Sequence, residues 1–195
     1  MIRFCDIVFS WFGLLLLSPL FLIVALWIEI DDPGPVFYRQ QRVGKNGKDF
    51  GLLKFRSMRV GADKMSQLTI GDRDPRVTRA GYYIRKYKLD ELPQLWNVLI
   101  GDMSLVGPRP EVRRYVDLYT PEQRKVLSVR PGITDHASIE YIDENRLLAQ
   151  SADPDKTYIE QIMPAKIALN MRYINHQTVD EYLKIIFLTI TKIIR

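Results

Sequence analysis

The sequence predicts an α+β chain that is mostly helical, and three observations carry that prediction. An uncharged apolar run of 22 residues, Ile7 to Ile28, lies near the start of the chain. Two strand-like stretches flank Gly44-Lys45-Asn46-Gly47, a hairpin-turn signal. Most of the remainder has helical character and ends in a long apolar face over Val179–Arg195. The expected architecture is an N-terminal membrane helix, a small β-hairpin and amphipathic helices gathered into one domain.

The apolar run comes first. As a straight helix, 22 residues at about 1.5 Å each reach roughly 33 Å, enough for a bilayer core of about 30 Å. A cleavable signal peptide fits poorly, because the run is long, Arg3 is its only basic head and no small-x-small site follows. A buried core helix fits poorly too, since water-soluble domains seldom hide an all-round apolar helix of this length. Ser18-Pro19 stands at the midpoint, where proline removes a helix hydrogen bond and forces a kink. The serine hydroxyl can satisfy a freed carbonyl. Two courses stay open: the kinked helix spans, which is the commoner case, or it bends back and leaves on the side it entered. Arg39, Arg42, Lys45, Lys48, Lys54, Arg56 and Arg59 follow, opposed nearby only by Asp49. The positive-inside rule puts that region in the cytoplasm.

Asp31-Asp32-Pro33-Gly34-Pro35 reads as the turn leaving the membrane, then Val36–Val43 as a strand and Phe50–Phe55 as its hairpin partner. Residues 57–66 read as helix and 67–78 as a polar loop. A short helix is expected over 79–87, another from Pro93 to Ile100 with proline in its first turn. Residues 111–128 read as helical, with Thr120-Pro121-Glu122 starting a second helix, and 154–177 as helical again. In Val179–Arg195, apolar residues cover more than half the helix surface while Lys184, Lys192 and Arg195 take the rest. That face suits the membrane interface, and equally a core or homodimer contact.

The 195 residues suit one domain, and no linker divides off a second soluble one. A single cysteine, Cys5, excludes a disulfide framework and a multi-cysteine metal site. Lys+Arg 28 against Asp+Glu 23 gives +5, which suits an anionic partner without choosing among membrane, nucleotide and nucleic acid.

His136 and His176 are too few for a histidine metal site, and Walker, GxGxxG, GxSxG and HExxH patterns are absent. What remains is residues 85–111, RKYKLDELPQLWNVLIGDMSLVGPRPE. Pro93 fixes a helix start, so Asp90 and Glu91 are expected at its N-terminus, where free N–H groups favour negative charge. Arg85 lies upstream. Arg109 is clamped between Pro108 and Pro110, which suits phosphate binding, although a plain surface turn would read the same. Two adjacent carboxylates with arginines nearby suit phosphoryl transfer: one attacks phosphorus and the other holds Mg²⁺. Cationic neighbours are expected to lower the nucleophile's pKa and keep it ionised.

At these residues the chain resembles the monotopic phosphoglycosyl transferases, a bacterial sugar transferase family. The matching segments are GPVFYRQQRVGKNGKDFGLLKFRSM (34–58), DPRVTRAGYYIRKYKLDELPQLWNVLIGDMSLVGPRPE (74–111) and RPGIT (130–134), in the family's order and after a matching Ser18-Pro19 helix. The large N-terminal membrane extension of some members has no counterpart in the sequence, so the chain resembles the minimal catalytic unit.

The resemblance implies that Asp90 attacks the sugar-bearing phosphate of a UDP-sugar, expels UMP and passes the phospho-sugar to polyprenyl phosphate. It makes Glu91 the Mg²⁺ ligand, gives Arg85 and Arg109 phosphate or nucleotide contacts, and lets Lys54 and Arg56 help shape the site. It makes Ser18-Pro19 the break of a re-entrant helix over residues 1–30, with residues 31–195 a catalytic domain on the cytoplasmic face of the bacterial inner membrane. Nucleic acid is not an expected partner. Two departures stand out: Tyr87-Lys88 before the carboxylates, and Asp135-His136-Ala137-Ser138 after RPGIT, where many relatives carry glycine and then an aromatic or apolar residue. The competing readings are a catalytically inactive scaffold and a membrane-anchored basic module that binds lipid without chemistry.

Overall fold

The computed structural model describes residues 1–62, 74–141 and 143–194. The apolar run forms two helices, α1 (Ile2–Leu16) and α2 (Ser18–Asp31), bent by 59° at the Leu17 break. Pro19 lies in the first turn of α2, and Ser18 Oγ donates to the Leu15 carbonyl at 2.8 Å. Among the described residues no single helix is long and apolar enough to cross a membrane, whereas the bent pair meets that test together.

Both ends of this pair fasten to the same body. At the α1 end, the Arg3 guanidinium donates to the carbonyls of Val98 (2.5 Å) and Leu99 (2.9 Å), in the last turn of α4 (Gln94–Ile100). The Leu99 carbonyl receives no backbone N–H and the Val98 carbonyl only that of Gly101 at 3.1 Å, and a cation there also meets the negative end of the helix dipole. Buried Asp6 accepts from Ser104 Oγ, the Leu105 N–H and the Tyr182 hydroxyl, each at 2.9 Å. At the α2 end, Asp31 Oδ2 accepts the Ala80 N–H at 2.8 Å, in the first turn of α3 (Arg79–Lys86). Val24 and Ile28 pack against Phe55, Ala80 and Ile84.

The expected hairpin is present. Strands β1 (Phe37–Val43) and β2 (Asp49–Phe55) pair antiparallel, with Phe37 opposite Phe55 and Val43 opposite Asp49. The connection turns through Asn46 (φ 57°) and Gly47 (φ 74°). Asn97 of α4 grips the backbone of β2, its side chain donating to the Gly51 carbonyl and accepting the Leu53 N–H, both at 2.9 Å.

Residues 57–62 do not form the expected helix; residues 63–66 lie outside the described residues. The chain stays extended past β2 because Met58 bridges to Val77 and the Thr78 N–H donates to the Ser57 carbonyl at 3.2 Å. In the loop expected over 67–78, residues 67–73 are likewise outside the described residues. The helices expected at 79–87 and from Pro93 appear as α3 and α4.

Residues 111–128 do not form long helices. A one-turn helix, α5 (Arg113–Val116), is followed by turns and then a 3₁₀ segment over Gln123–Ser128. Pro121 has no N–H to offer the Asp117 carbonyl, so α5 cannot run on. Thr120 and Gln123 instead cap each other: Gln123 Oε1 accepts the Thr120 N–H (2.9 Å) and Thr120 Oγ1 the Gln123 N–H (3.2 Å).

Sequence reading missed a parallel pair, β3 (Ser104–Val106) and β4 (Gly132–Thr134), three residues each and too short to carry a pattern. It also missed the short helices α6 (His136–Glu140) and α7 (Glu144–Ala149). The helix expected over 154–177 comprises α8 (Pro154–Thr157), one π turn (Tyr158–Ile162) and α9 (Met163–Asn175). Pro164, which cannot donate to the Glu160 carbonyl within that wide turn, stands two residues past its end. Helix α10 (Val179–Ile194) buries Tyr182 and Ile185 against Val106 and Tyr173, and exposes Leu183, Phe187 and Ile190.

Candidate active site

Asp90 and Glu91 occupy a 3₁₀ turn, Leu89–Glu91, between α3 and α4. Lys88 enters the turn in the left-handed region (φ 57°), and Pro93 then starts α4 two residues after Glu91. The two carboxylates therefore stand just ahead of the helix, as the proline position suggests.

Their surroundings differ. Glu91 is held by Arg109, whose Nη1 donates to Oε2 at 3.0 Å while Nη2 donates to Oε1. Lys54 Nζ, from β2, lies 3.8 Å from the same Oε1. Burial alone would raise the Glu91 pKa, but Arg109 and Lys54 outweigh it and hold the carboxyl well below the usual range. The Glu91 charge in turn raises the Arg109 pKa above its ordinary value. Asp90 is buried, 8% exposed, and among the described residues its carboxylate has no hydrogen-bond or ion-pair partner. Burial raises its pKa and the Glu91 charge adds to this, against the opposing pull of Lys54, Arg85 and Lys88. The expectation that cationic neighbours lower the pKa of the attacking carboxylate does not hold for Asp90, where desolvation wins; the lowered carboxyl is its neighbour Glu91.

Arg109 is built into place from two sides. Its N–H donates to Asp135 Oδ2 at 2.9 Å, and the next carbonyl, of Pro110, accepts from Arg42 Nη1 at 3.1 Å. Arg42 lies 3.7 Å from Glu111, which also accepts the Tyr158 hydroxyl. Behind this strap lies a cavity of about 30 Å³ lined by Pro108, Arg109, Glu111, Tyr158 and Asn170, large enough to hold water. Asn170 Oδ1 is buried there without a protein partner.

Lys54, Glu91, Asp90 and Arg109 therefore form one cluster. Arg85 is close enough to depress the Asp90 pKa, and its guanidinium has no side-chain partner among the described residues. Arg56 is not brought to the cluster: it binds Asp32 Oδ2 (2.8 Å) and the Asp32 carbonyl, tying the end of α2 to the hairpin. Ser18 and Pro19 sit at the bend between α1 and α2. His136 Nε2 pairs with Glu181 Oε1 at 2.9 Å.

Asp135 and Asn97 were not anticipated as supports. Asn97 resembles any helical polar residue in sequence. Asp135 carried one signal, its place as a departure after RPGIT.

The donor set suits Mg²⁺ in kind. Among the described residues no three acidic, histidine or cysteine side chains gather into a metal cage. An ion held by one or two hard carboxylate oxygens and completed by water and substrate phosphate needs no such cage.

A family profile described as "bacterial sugar transferase" matches residues 1–195. The chain is 40% identical over 197 residues to the UDP-N-acetylgalactosamine-undecaprenyl-phosphate N-acetylgalactosaminephosphotransferase of Aeromonas hydrophila, covering 98% of this chain and 43% of that one. It is 37% identical over 194 residues to the UDP-glucose:undecaprenyl-phosphate glucose-1-phosphate transferase of Escherichia coli (strain K12), covering 96% and 39%. An exopolysaccharide production protein of Rhizobium leguminosarum bv. phaseoli is 39% identical over 196 residues, covering 96% and 92%. The chain thus spans about two-fifths of the first two relatives and nearly all of the third.

Proposed function

The chain belongs to the bacterial sugar transferase family, and on that premise we propose that it transfers a sugar-1-phosphate from a UDP-sugar to polyprenyl phosphate, starting assembly of a glycoconjugate such as an exopolysaccharide. The observation that carries this reading is the division of labour between adjacent carboxylates. Glu91 is fixed and charged by Arg109 and Lys54, while Asp90 is desolvated and unpaired. A carboxylate without hydrogen-bond donors of its own is free to attack.

In this reading an Asp90 carboxylate oxygen attacks the phosphorus that bears the sugar. A carboxylate–phosphorus bond forms, the diphosphate P–O bond breaks, and UMP leaves with the bonding pair. The phosphate oxygen of polyprenyl phosphate then attacks the same phosphorus. The bond to Asp90 breaks and its carboxylate is restored. Arg85 would neutralise the diphosphate together with Arg109, which also holds Glu91, and Lys54 offsets charge at both carboxylates. Glu91 would hold Mg²⁺, which would supply charge neutralisation on the phosphate oxygens.

The membrane reading is re-entrant. Arg3 and Asp6 at one end of the helix pair, and Asp31 at the other, fasten to one body, which supports entry and exit on the same face. Residues 1–30 would be the re-entrant, bent helix in the bilayer, and residues 31–195 the catalytic domain on the cytoplasmic face of the bacterial inner membrane. Exposed Trp27, Tyr83 and Trp96 suit its water–lipid boundary.

The test is to mix purified chain with Mg²⁺ and a panel of UDP-sugars without lipid. Intact mass should show a phospho-sugar adduct on Asp90, and UMP should appear in solution. If a UDP-sugar is consumed only with lipid present and no adduct ever forms, the two-step reading fails.

A further inference from the structure

We propose that Asp135 is a positioning residue for the reaction, setting Arg109 through its main chain and hence the grip of Arg109 on Glu91. The inference rests on the functional reading above, because it takes Arg109 to serve the reacting centre.

The geometry begins at the β3–β4 pair. Its ladder runs on past β3 to the Gly107 N–H, which donates to the Thr134 carbonyl at 3.0 Å. The two backbones cross so closely that a Cβ on Gly132 would lie 2.1 Å from the Gly107 nitrogen. The ladder must then stop, because Pro108 has no N–H. The next donor is the N–H of Arg109, and the Asp135 carboxylate accepts it at 2.9 Å. A side chain thus continues what the backbone cannot.

Asp135 is itself fully packed, 1% exposed, and its other oxygen accepts the Ser138 N–H as the cap of α6. One carboxylate therefore welds the start of α6 to the Pro108-Arg109-Pro110 strap. From Arg109 the constraint reaches Glu91 through two guanidinium bonds. Asp135 touches neither Asp90 nor Glu91; it acts by fixing where Arg109 starts.

The two duties of Asp135 separate by substitution. Asp135→Ser keeps a short cap for Ser138, because serine is a good N-cap, but cannot also reach the Arg109 amide. Asp135→Asn keeps one cap oxygen and turns an NH₂ toward that amide. For full-length protein in detergent, we expect both variants to keep the wild-type melting temperature within a few degrees. Hydrogen–deuterium exchange of a peptide covering residues 105–111 should lose one slow amide. kcat should fall about tenfold or more, with KM for the UDP-sugar changed less than about threefold, as misplacement of a group near the reacting centre predicts. In an Arg109→Lys background, Asp135→Asn should cost almost nothing further.

Unchanged kcat with a freed Arg109 amide would overturn the proposal. So would a full additional loss in the Arg109→Lys background, or equal collapse of melting temperature and activity in both variants, which marks a purely structural role. A wild-type chain without turnover on any UDP-sugar overturns the functional reading instead. The hold on Arg109 is then judged by exchange alone, and it falls if wild type and Asp135→Asn exchange alike.

Discussion

Arg109 spans 18 residues of sequence to hold both carboxylate oxygens of Glu91 with two guanidinium nitrogens. The fork of arginine matches a carboxylate in a way the point charge of lysine does not. Arg109→Lys should therefore keep the fold and lower kcat by at least about tenfold. Steady-state UMP release checks it, and a kcat within twofold of wild type would show that the bidentate geometry is dispensable.

In the proposed mechanism Asp90 must be ionised to attack, and burial raises its pKa. The acid limb of adduct formation should consequently lie above the ordinary aspartate range, with rate lost as pH falls through it. Lys54 pulls the Asp90 pKa down, so Lys54→Met should move that limb to higher pH. Rapid-quench adduct yield across pH reads the shift directly; a limb that stays put in Lys54→Met would remove Lys54 from the electrostatics of Asp90.

Asp6 serves three donors with one buried oxygen. Asp6→Ala leaves them without an acceptor, at a cost of about 1–3 kcal/mol or more. At about 2–4 °C per kcal/mol for a chain of this size, melting should drop by roughly 5 °C. Tyr182→Phe removes one donor only and should cost less. Equal melting temperatures for wild type and Asp6→Ala would contradict this account of how α1 is secured.

The helix pair bends where Pro19 begins α2. Pro19→Leu restores a backbone donor and removes the ring clash, a change of about 3 kcal/mol in favour of a straight helix. Cysteine placed at residue 2, in a Cys5→Ser background, should resist an impermeant maleimide applied to intact spheroplasts and become labelled once Pro19 is replaced. Labelling before that replacement would rule out a shared face for the two ends.

Chelation gives the last prediction. EDTA should stop UMP release and Mg²⁺ should restore it. Melting should hardly move, because Glu91 is already neutralised by Arg109 and Lys54. Undiminished turnover in EDTA would exclude the metal.

The parts of the fold that sequence reveals are those with local causes. Pro19 marks the bend, Gly44 to Gly47 the hairpin and Pro93 the start of α4. The parts it hides depend on partners distant in the chain. Ser57 and Met58 stay extended because Thr78 and Val77 pair with them, and β3 meets β4 across a crossing of two glycines. The site divides the same way. Asp90 and Glu91 stand out by their place before a proline, and Arg109 by its flanking prolines. Arg56 has the same basic character, yet its partner Asp32 can be found only in three dimensions. Asp135 and Asn97 act through backbone amides, contacts that leave no pattern in a sequence.

The two anchoring points of the helix pair have a mechanical consequence. Arg3 is fastened to the end of α4 and Asp31 to the start of α3, the very elements that bracket the Asp90 turn. If the bent pair lies in a bilayer as proposed, a tilt or compression of it would be delivered to both flanks of the Asp90 turn together. Lipid thickness would then set the height of that turn, and short-chain and long-chain bilayers would become a dial on turnover and not merely on attachment.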